Sequence, residues 1–100
     1  MDPEKPDFLI ADVVRSKAGH DKGKLFYVLE LDETYLVLVN GKDRTLEKPK
    51  RKKRKHAEKV LRSETRVAEK LRLGDKVLNS ELRRDLAFIS QKLQSSNLGG

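Results

Sequence analysis

The first half of the chain alternates short apolar runs with turn-forming residues. Runs of about four to eight residues separated by glycine, asparagine or acidic residues are typical of strands rather than helices. Four or five short antiparallel strands are therefore predicted. Asn40 and Gly41 favour a type I′ hairpin between the third and fourth strands, because both residue types accept positive φ. The strand candidates are residues 8–15, 25–31, 34–39 and 44–47.

Both faces of the predicted sheet are apolar. In the second strand Phe26 and Val28 share one face, while Tyr27 and Leu29 lie on the other. The interior of a small barrel covers only one face of its sheet, so another element should cover part of the second. The C-terminal half is the candidate for that cover.

The second half of the chain has helical periodicity. Apolar residues three or four positions apart predict a first helix from Ala57 to Leu71, and Gly74 is placed to end it. A second stripe runs from Leu82 to Leu93, with Asn79 or Ser80 as the N-cap. We expect the two helices to pack on the sheet or on each other.

These elements predict an α+β fold that is mainly β. Residues 8–48 form a small SH3-like barrel of four or five antiparallel strands, residues 49–56 a basic linker and residues 57–93 a segment of two short helices. Residues 1–7 and 94–100 are expected to be flexible ends. A chain of 100 residues has room for one such domain with a small core, which argues against a large enclosed active site.

The net charge of +7 is concentrated in one segment. Between Lys48 and Lys59 the chain has eight basic residues and one acidic residue, so the rest of the chain is neutral. Lys50 to Lys55 are six consecutive cations, which repel one another and are predicted to stay solvent-exposed. The segment is either a solvated linker, a nuclear localisation signal or a phosphate-binding surface, since each cation that neutralises a phosphate releases a counterion.

A glycine-punctuated bend joins the first two predicted strands. It contains Gly19 and Gly23 among basic residues, and glycine lets a foreign backbone approach closely. This stretch resembles the KOW motif shared by several ribosomal proteins and transcription elongation factors. It departs from that motif at Ala11, where many members have glycine, and at His20, where a permanently charged residue is common. The matching residues are Val13, Val14, Lys17, Gly19, Lys22, Gly23, Lys24 and Val28.

With the segment that follows, the chain looks like the small KOW-domain RNA-binding proteins of bacteria, which are similar to eukaryotic and archaeal large-subunit ribosomal proteins. The resemblance is strong in the first half of the chain and weak in the second. It implies a non-enzymatic RNA-binding protein of the ribosome or associated with it, with a role in translation. No recognition helix for base edges is evident, so we expect RNA to be recognised through its shape and phosphates. The expected RNA contacts are Lys17, Gly19, His20, Lys22, Gly23, Lys24, Lys48, Lys50, Arg51, Lys52, Lys53, Arg54 and Lys55.

Other chemistry has little support in the sequence. The Gly19 to Gly23 spacing lacks the ending of a P-loop, and no nucleophile or acid–base arrangement is recognisable. With no cysteine and two distant histidines, no metal site, cofactor or small-molecule substrate is expected. No run reaches the roughly 18 apolar residues of a membrane span, and the start of the chain lacks secretory features, so a cytoplasmic location is expected.

A protein-interaction module is the alternative. In that interpretation the second apolar sheet face and the stripe from Leu82 to Leu93 form the interface, and the basic run only solubilises or targets the protein. Adhesion of the basic run to an anionic membrane lacks the flanking aromatic residues or lipidation that would anchor it.

Overall fold

One antiparallel sheet of five strands forms the body of the protein. The computed structural model describes residues 8–98, in which two helices follow the sheet. The prediction of an α+β fold with an antiparallel sheet and two helices is confirmed. The strand order across the sheet is β4-β3-β2-β1-β5. The elements are β1 (Asp12–Ser16), β2 (Leu25–Leu31), β3 (Tyr35–Val39), β4 (Lys50–Lys53), β5 (Ala57–Arg62), α1 (Arg66–Leu73) and α2 (Asn79–Leu98).

The two edge strands of this sheet are consecutive in the chain. β4 and β5 lie at opposite edges, yet a single 3₁₀ turn of three residues, Arg54–His56, joins them. A link this short requires the sheet to curl until its edges approach each other. Within residues 8–98 no ladder of hydrogen bonds joins β4 to β5, so the sheet remains open. Closure into a barrel is not confirmed.

A β-bulge in β2 explains why both of its faces are apolar. The pairing with β3 shifts between Val28 and Glu30, which inserts Leu29 as an extra residue. Leu29 packs on the helix side of the sheet, whereas Leu31, beyond the bulge, packs on the opposite side with Phe26. Simple alternation therefore fails along this strand.

The helices cover one face of the sheet, as expected. Val13, Tyr27 and Val39 from the sheet share a core with apolar residues of both helices, including Leu71 and Leu82. On the opposite face a second core, the inner core, lies inside the curled sheet. It contains Phe8, Val14, Phe26, Val28, Leu36, Leu38 and Ala57.

A polar cluster, which we call the phenol cluster, links the helix layer to the sheet. The Tyr27 hydroxyl donates to Asp85 Oδ2 of α2 and is 2.9 Å from Ser63 Oγ. Thr65 Oγ1, at the N-cap of α1, donates to the same Asp85 oxygen at 2.8 Å and accepts from the backbone N–H of Ala68. Burial and the hydrogen bond to Asp85 raise the pKa of Tyr27 to about 12.

The predicted fourth strand at residues 44–47 is wrong, and so is the type I′ hairpin before it. Gly41 has φ +75°, but Asn40 does not have positive φ, and its Oδ1 accepts from the backbone N–H of Arg44 at 2.9 Å. Further along, Asn79 of α2 accepts from the N–H of Leu46. This segment therefore uses its backbone groups in a loop that contacts α2.

The basic linker predicted at residues 49–56 is also wrong, because β4 and the 3₁₀ turn occupy it. Leu36 and Leu38 of β3 lie opposite Lys52 and Lys50. The charged run therefore pairs with the otherwise free edge of β3 and adds a strand to the sheet. The charge pattern of residues 50–55 does not predict this pairing.

The helix predicted from Ala57 begins later, after Thr65, and residues 57–62 form β5. The register with β1 shifts between Val13 and Val14, which makes Val60 an extra residue in β5. Val60 and Leu61 then both pack on the helix side, while Ala57 belongs to the inner core. This bulge produces the three- and four-residue spacing that resembles a helix.

The ends of the helices differ in part from expectation. Gly74 ends α1 with φ +75°, as predicted. Asn79 does not cap α2, because its side chain contacts Leu46 and Glu47, and the backbone C=O of Leu78 accepts the first helical bonds. α2 continues to Leu98, so residues 94–98, which were predicted to belong to a flexible end, are helical. The predictions for residues 1–7 and 99–100 lie outside the described residues.

Candidate nucleic-acid interface

The glycine loop, residues 17–24, has a defined backbone conformation. Gly19 and Gly23 have φ of +87° and +88°, in the left-handed region that glycine enters without steric cost. The N–H of Gly23 donates to the C=O of Ser16 at 2.8 Å, and the N–H of Lys24 donates to the backbone C=O of Asp21 at 3.0 Å. The loop exposes the side chains of Lys17, His20, Lys22 and Lys24.

The basic run, residues 50–55, is divided by the alternation of β4. Arg51 and Lys53 are exposed, whereas Lys50 is half-buried and Lys52 is buried at 8% exposure. The prediction that the whole run stays exposed is therefore wrong at Lys52. Its position opposite Leu36 turns its side chain toward the inner core.

The ammonium of Lys52 is neutralised by the glycine loop. Its Nζ donates to the C=O of Ala18 at 2.9 Å and lies 3.1 Å from Asp21 Oδ1. The same Asp21 oxygen accepts from Ser16 Oγ at 2.8 Å. Burial by itself would raise the pKa of Asp21, but the hydrogen bonds from Ser16 and Lys52 outweigh it and hold the pKa below its ordinary value. We call these three side chains the loop tether.

The glycine loop and the basic run also meet at the 3₁₀ turn. The backbone N–H of Lys17 donates to the C=O of His56 at 2.8 Å. Lys17 then lines a groove of about 1080 Å³ together with Lys53, Arg54 and Lys55. The remaining groove walls are Phe8, Glu33, Thr34 and residues 57–61. Two basic segments that are separate in the sequence thus contribute to one surface.

Several predicted contact residues already have partners within the protein. Arg51 lies 4.1 Å from the centre of the Tyr35 ring, and Arg54 Nη1 donates to the C=O of Asp32 at 2.7 Å. Lys24 is paired with Asp43 at 2.6 Å, and both side chains are about half exposed. Exposed ion pairs of this kind are weak, so a phosphate can replace the carboxylate.

The structure divides the predicted contact residues into three groups. Lys17, Lys53, Arg54 and Lys55 line one groove. Lys52 is buried in the loop tether. The others lie at the surface outside the groove walls, namely Gly19, His20, Lys22, Gly23, Lys24, Lys48, Lys50 and Arg51.

β5 contributes to the groove, which the sequence did not predict. Lys59 and Val60 line it, but their segment was predicted to be helical. The only signal was the alternation of Ala57, Glu58 and Lys59 before the bulge, which is too short to distinguish a strand from a helix turn.

The surfaces proposed for a protein-interaction module pack on each other. Leu82, Leu86 and Ile89 of the α2 stripe are buried against Tyr27 and Val39 of the second sheet face. In the helical half, exposed large apolar side chains remain at Leu73, Leu78 and Phe88, of which Phe88 has Lys92 over its ring at 5.2 Å. The interface expected for that alternative is therefore occupied within the molecule.

Among residues 8–98, no three His, Asp or Glu side chains come together in a way that could hold a metal ion. In the same range neither helix combines the length and apolar character that crossing a bilayer needs. No protein-family model matches the chain, and no curated protein shows significant similarity to it.

Proposed function

We propose that the protein is a non-enzymatic RNA-binding module, ribosomal or ribosome-associated, that holds the phosphate backbone with its glycine loop and basic run. The observation that carries this proposal is the groove shared by Lys17 and residues 53–55. Five basic and two acidic side chains line it, which gives the groove a positive charge suited to a polyanion. Counterion release from several phosphates supplies the binding free energy.

We also propose that the curled sheet is an SH3-like barrel of the KOW type. The strand order β4-β3-β2-β1-β5 and the short 3₁₀ turn between the two edge strands support this assignment. The preference for RNA over DNA, the ribosomal setting and the cytoplasmic location come from the resemblance of residues 13–28 to the KOW motif.

The first experiment measures binding of a fluorescein-labelled RNA hairpin as a function of salt. If the four predicted contacts in the groove each neutralise one phosphate, a plot of log K against log salt should have a slope of about −3 to −4. A DNA hairpin of the same sequence should bind more weakly. A slope near zero would refute phosphate binding, and equal affinity for DNA would remove the preference for RNA.

A charge-reversal pair locates the interface. The variant with Lys17→Glu, Lys53→Glu and Lys55→Glu should lose roughly 100-fold or more in affinity, because three phosphate contacts become repulsive. The matched control reverses Lys76, Arg84 and Lys92, which lie in the helical half and cause the same change in net charge. The control should lose only a few-fold in RNA affinity, because it lowers the net charge without removing a groove contact. Equal losses in both variants would mean that net charge, rather than the groove, determines binding.

A further inference from the structure

Lys52 differs from its neighbours in the basic run by being buried against the glycine loop. A buried ammonium is stable only when it is paired and hydrogen-bonded. Lys52 satisfies this condition with two loop partners, the C=O of Ala18 and the carboxylate of Asp21. The loop passes so close that a Cβ built on Gly19 would be 3.7 Å from the Lys52 Nζ. The side chain thus lies beneath the loop and does not face solvent.

The tether acts on the middle of the glycine loop. Two glycines with positive φ leave the loop with many accessible conformations when it is not held. Backbone hydrogen bonds hold its two ends, from the N–H of Lys17 to His56 and from the N–H of Gly23 to Ser16. Toward its middle, the bond from the N–H of Lys22 to the C=O of Gly19 is at the upper end of the normal range, at 3.2 Å. Asp21 is the only loop side chain that is buried, and both Ser16 and Lys52 donate to it. Holding Asp21 therefore fixes the middle of the loop.

We propose that Lys52, Asp21 and Ser16 form a positioning group that holds the glycine loop in its RNA-binding conformation, and that Lys52 itself does not contact RNA. The inference rests on the proposed RNA-binding function. The loop then loses its conformational entropy when the protein folds, so this loss does not reduce the affinity for RNA. The basic run has two roles on alternate residues: Lys53 faces the groove, and Lys52 supports the loop.

For Asp21→Asn, the positioning role and general electrostatics predict opposite changes in RNA affinity. The substitution makes the protein more positive, so electrostatics alone predicts tighter binding of the RNA hairpin. Positioning predicts weaker binding, by about tenfold, because the buried ammonium loses its counter-charge and the loop its anchor. The control is Glu58→Gln, which removes one negative charge from the groove wall and should tighten binding a few-fold. An Asp21→Asn variant that binds as tightly as the native protein, or more tightly, overturns the proposal.

Lys52→Met and Lys53→Met form a second matched pair, since each removes one cation from adjacent positions. Lys53→Met should reduce the steepness of the salt slope by about 0.9, because a phosphate contact is lost. Lys52→Met should weaken binding while leaving the slope unchanged. Lys52→Arg retains the charge and the donors and should recover part of the affinity. If Lys52→Met changes the slope as Lys53→Met does, Lys52 contacts RNA directly and the inference is wrong.

Amide hydrogen exchange in the free protein tests the tether without RNA. The N–H groups of Lys22, Gly23 and Lys24 donate to backbone C=O groups of residues 16–21, so they should exchange faster in Asp21→Asn and in the milder Ser16→Ala. Exchange in Lys53→Met should match the native protein. Unchanged loop exchange in the tether variants refutes the tether even if RNA binds. Native protein that fails to bind the hairpin refutes the RNA-binding function and the positioning role, while a change in exchange would still establish the tether.

Discussion

The loop tether and the phenol cluster lie on opposite faces of the sheet and share one feature. In each, a hydroxyl donates to an aspartate at 2.8 Å, from Ser16 to Asp21 in the tether and from Thr65 to Asp85 in the phenol cluster. They differ in the second donor. Asp21 is paired with a buried ammonium from the basic run, whereas Asp85 accepts from the phenol of Tyr27.

The second donor determines what each cluster holds. The tether joins a surface loop to an edge strand, so its loss should release the loop and leave most of the core packed. The phenol cluster joins β2, the N-terminus of α1 and α2, so its loss should weaken the attachment of the whole helix layer. We therefore expect substitutions in the tether to lower mainly the RNA affinity, and substitutions on the helix side to lower mainly the free energy of unfolding.

Gly41→Ala should give the largest effect, and it falls on the helix side. A Cβ at this position would be 2.2 Å from the backbone O of Asn79, and the residue has φ +75°. Backbone strain and overpacking together should lower the free energy of unfolding by about 3 kcal/mol. Urea denaturation measures the change. Gly74→Ala is the control, since it has the same φ and no atom within 4 Å of its Cβ, and it should cost only about 1 kcal/mol. Equal losses would show that the contact with α2 is unimportant.

Alkaline pH should have the second largest effect, by destabilising the phenol cluster on the helix side. The pKa of Tyr27 is about 12 in the folded protein and about 10 when unfolded, so the phenol is stabilising below pH 10. As the pH rises from about 10 to 12, the unfolded state loses its proton first, and about 2 kcal/mol of stability should be lost. The measurement is urea denaturation across this pH range in a Tyr35→Phe background, which leaves Tyr27 as the single tyrosine. Tyr27→Phe should remove this part of the pH dependence, and an unchanged dependence would contradict the assignment.

The sequence predicted the elements that depend on local patterns. The short apolar runs of β1 to β3, the periodicity of α2 and the glycine that ends α1 are all present. The sequence did not predict β4 or β5, because each depends on an edge that another strand supplies: β5 pairs with β1, which is distant in the chain, and β4 pairs with β3 after the loop of residues 40–49. Four of the six consecutive cations form a strand because β3 offers a free edge and because the buried Lys52 pairs with Asp21 of the glycine loop.

The candidate site could be predicted in composition but not in arrangement. The basic residues of the glycine loop and the basic run were identified, and four of them do line one groove. That Lys52 is buried while Lys53 is exposed depends on the register of β4 with β3, which charge patterns do not reveal. β-Bulges at Leu29 and Val60 had the same effect on the apolar pattern, since each shifts the following residues to the other face.

Thr65→Val and Ser16→Ala compare the two hydroxyls directly. Thr65→Val removes the N-cap of α1 and one donor to Asp85, and it should lower the free energy of unfolding by about 1 kcal/mol. Loop exchange and RNA affinity should not change. Ser16→Ala should cost a similar amount, about 1 kcal/mol for one hydrogen bond, but should also speed exchange of the loop amides. If Thr65→Val loosens the glycine loop as well, the two clusters are coupled and do not act separately.

Ala11→Gly should have the smallest effect, because three contributions nearly cancel. Ala11 is fully buried on the helix side and has φ +71°, at the position where the resemblance to the KOW motif leads us to expect glycine. Glycine would relieve about 1 kcal/mol of left-handed strain. It would also lose about 0.8 kcal/mol from burial of the methyl group and gain conformational freedom when unfolded.

The free energy of unfolding of Ala11→Gly, measured in urea, should therefore stay within about 1 kcal/mol of the native value, on the less stable side. Ala11→Val keeps the strain and adds volume to a packed site, so it should cost clearly more, about 2 kcal/mol. The N–H of Ala11 donates to the C=O of Val28 at 2.8 Å, and this bond should persist in both variants. A gain of more than about 1 kcal/mol in Ala11→Gly would show that strain in this turn outweighs the buried methyl. Backbone strain at residue 11, rather than the packing of its side chain, would then limit the stability of the helix side of the sheet.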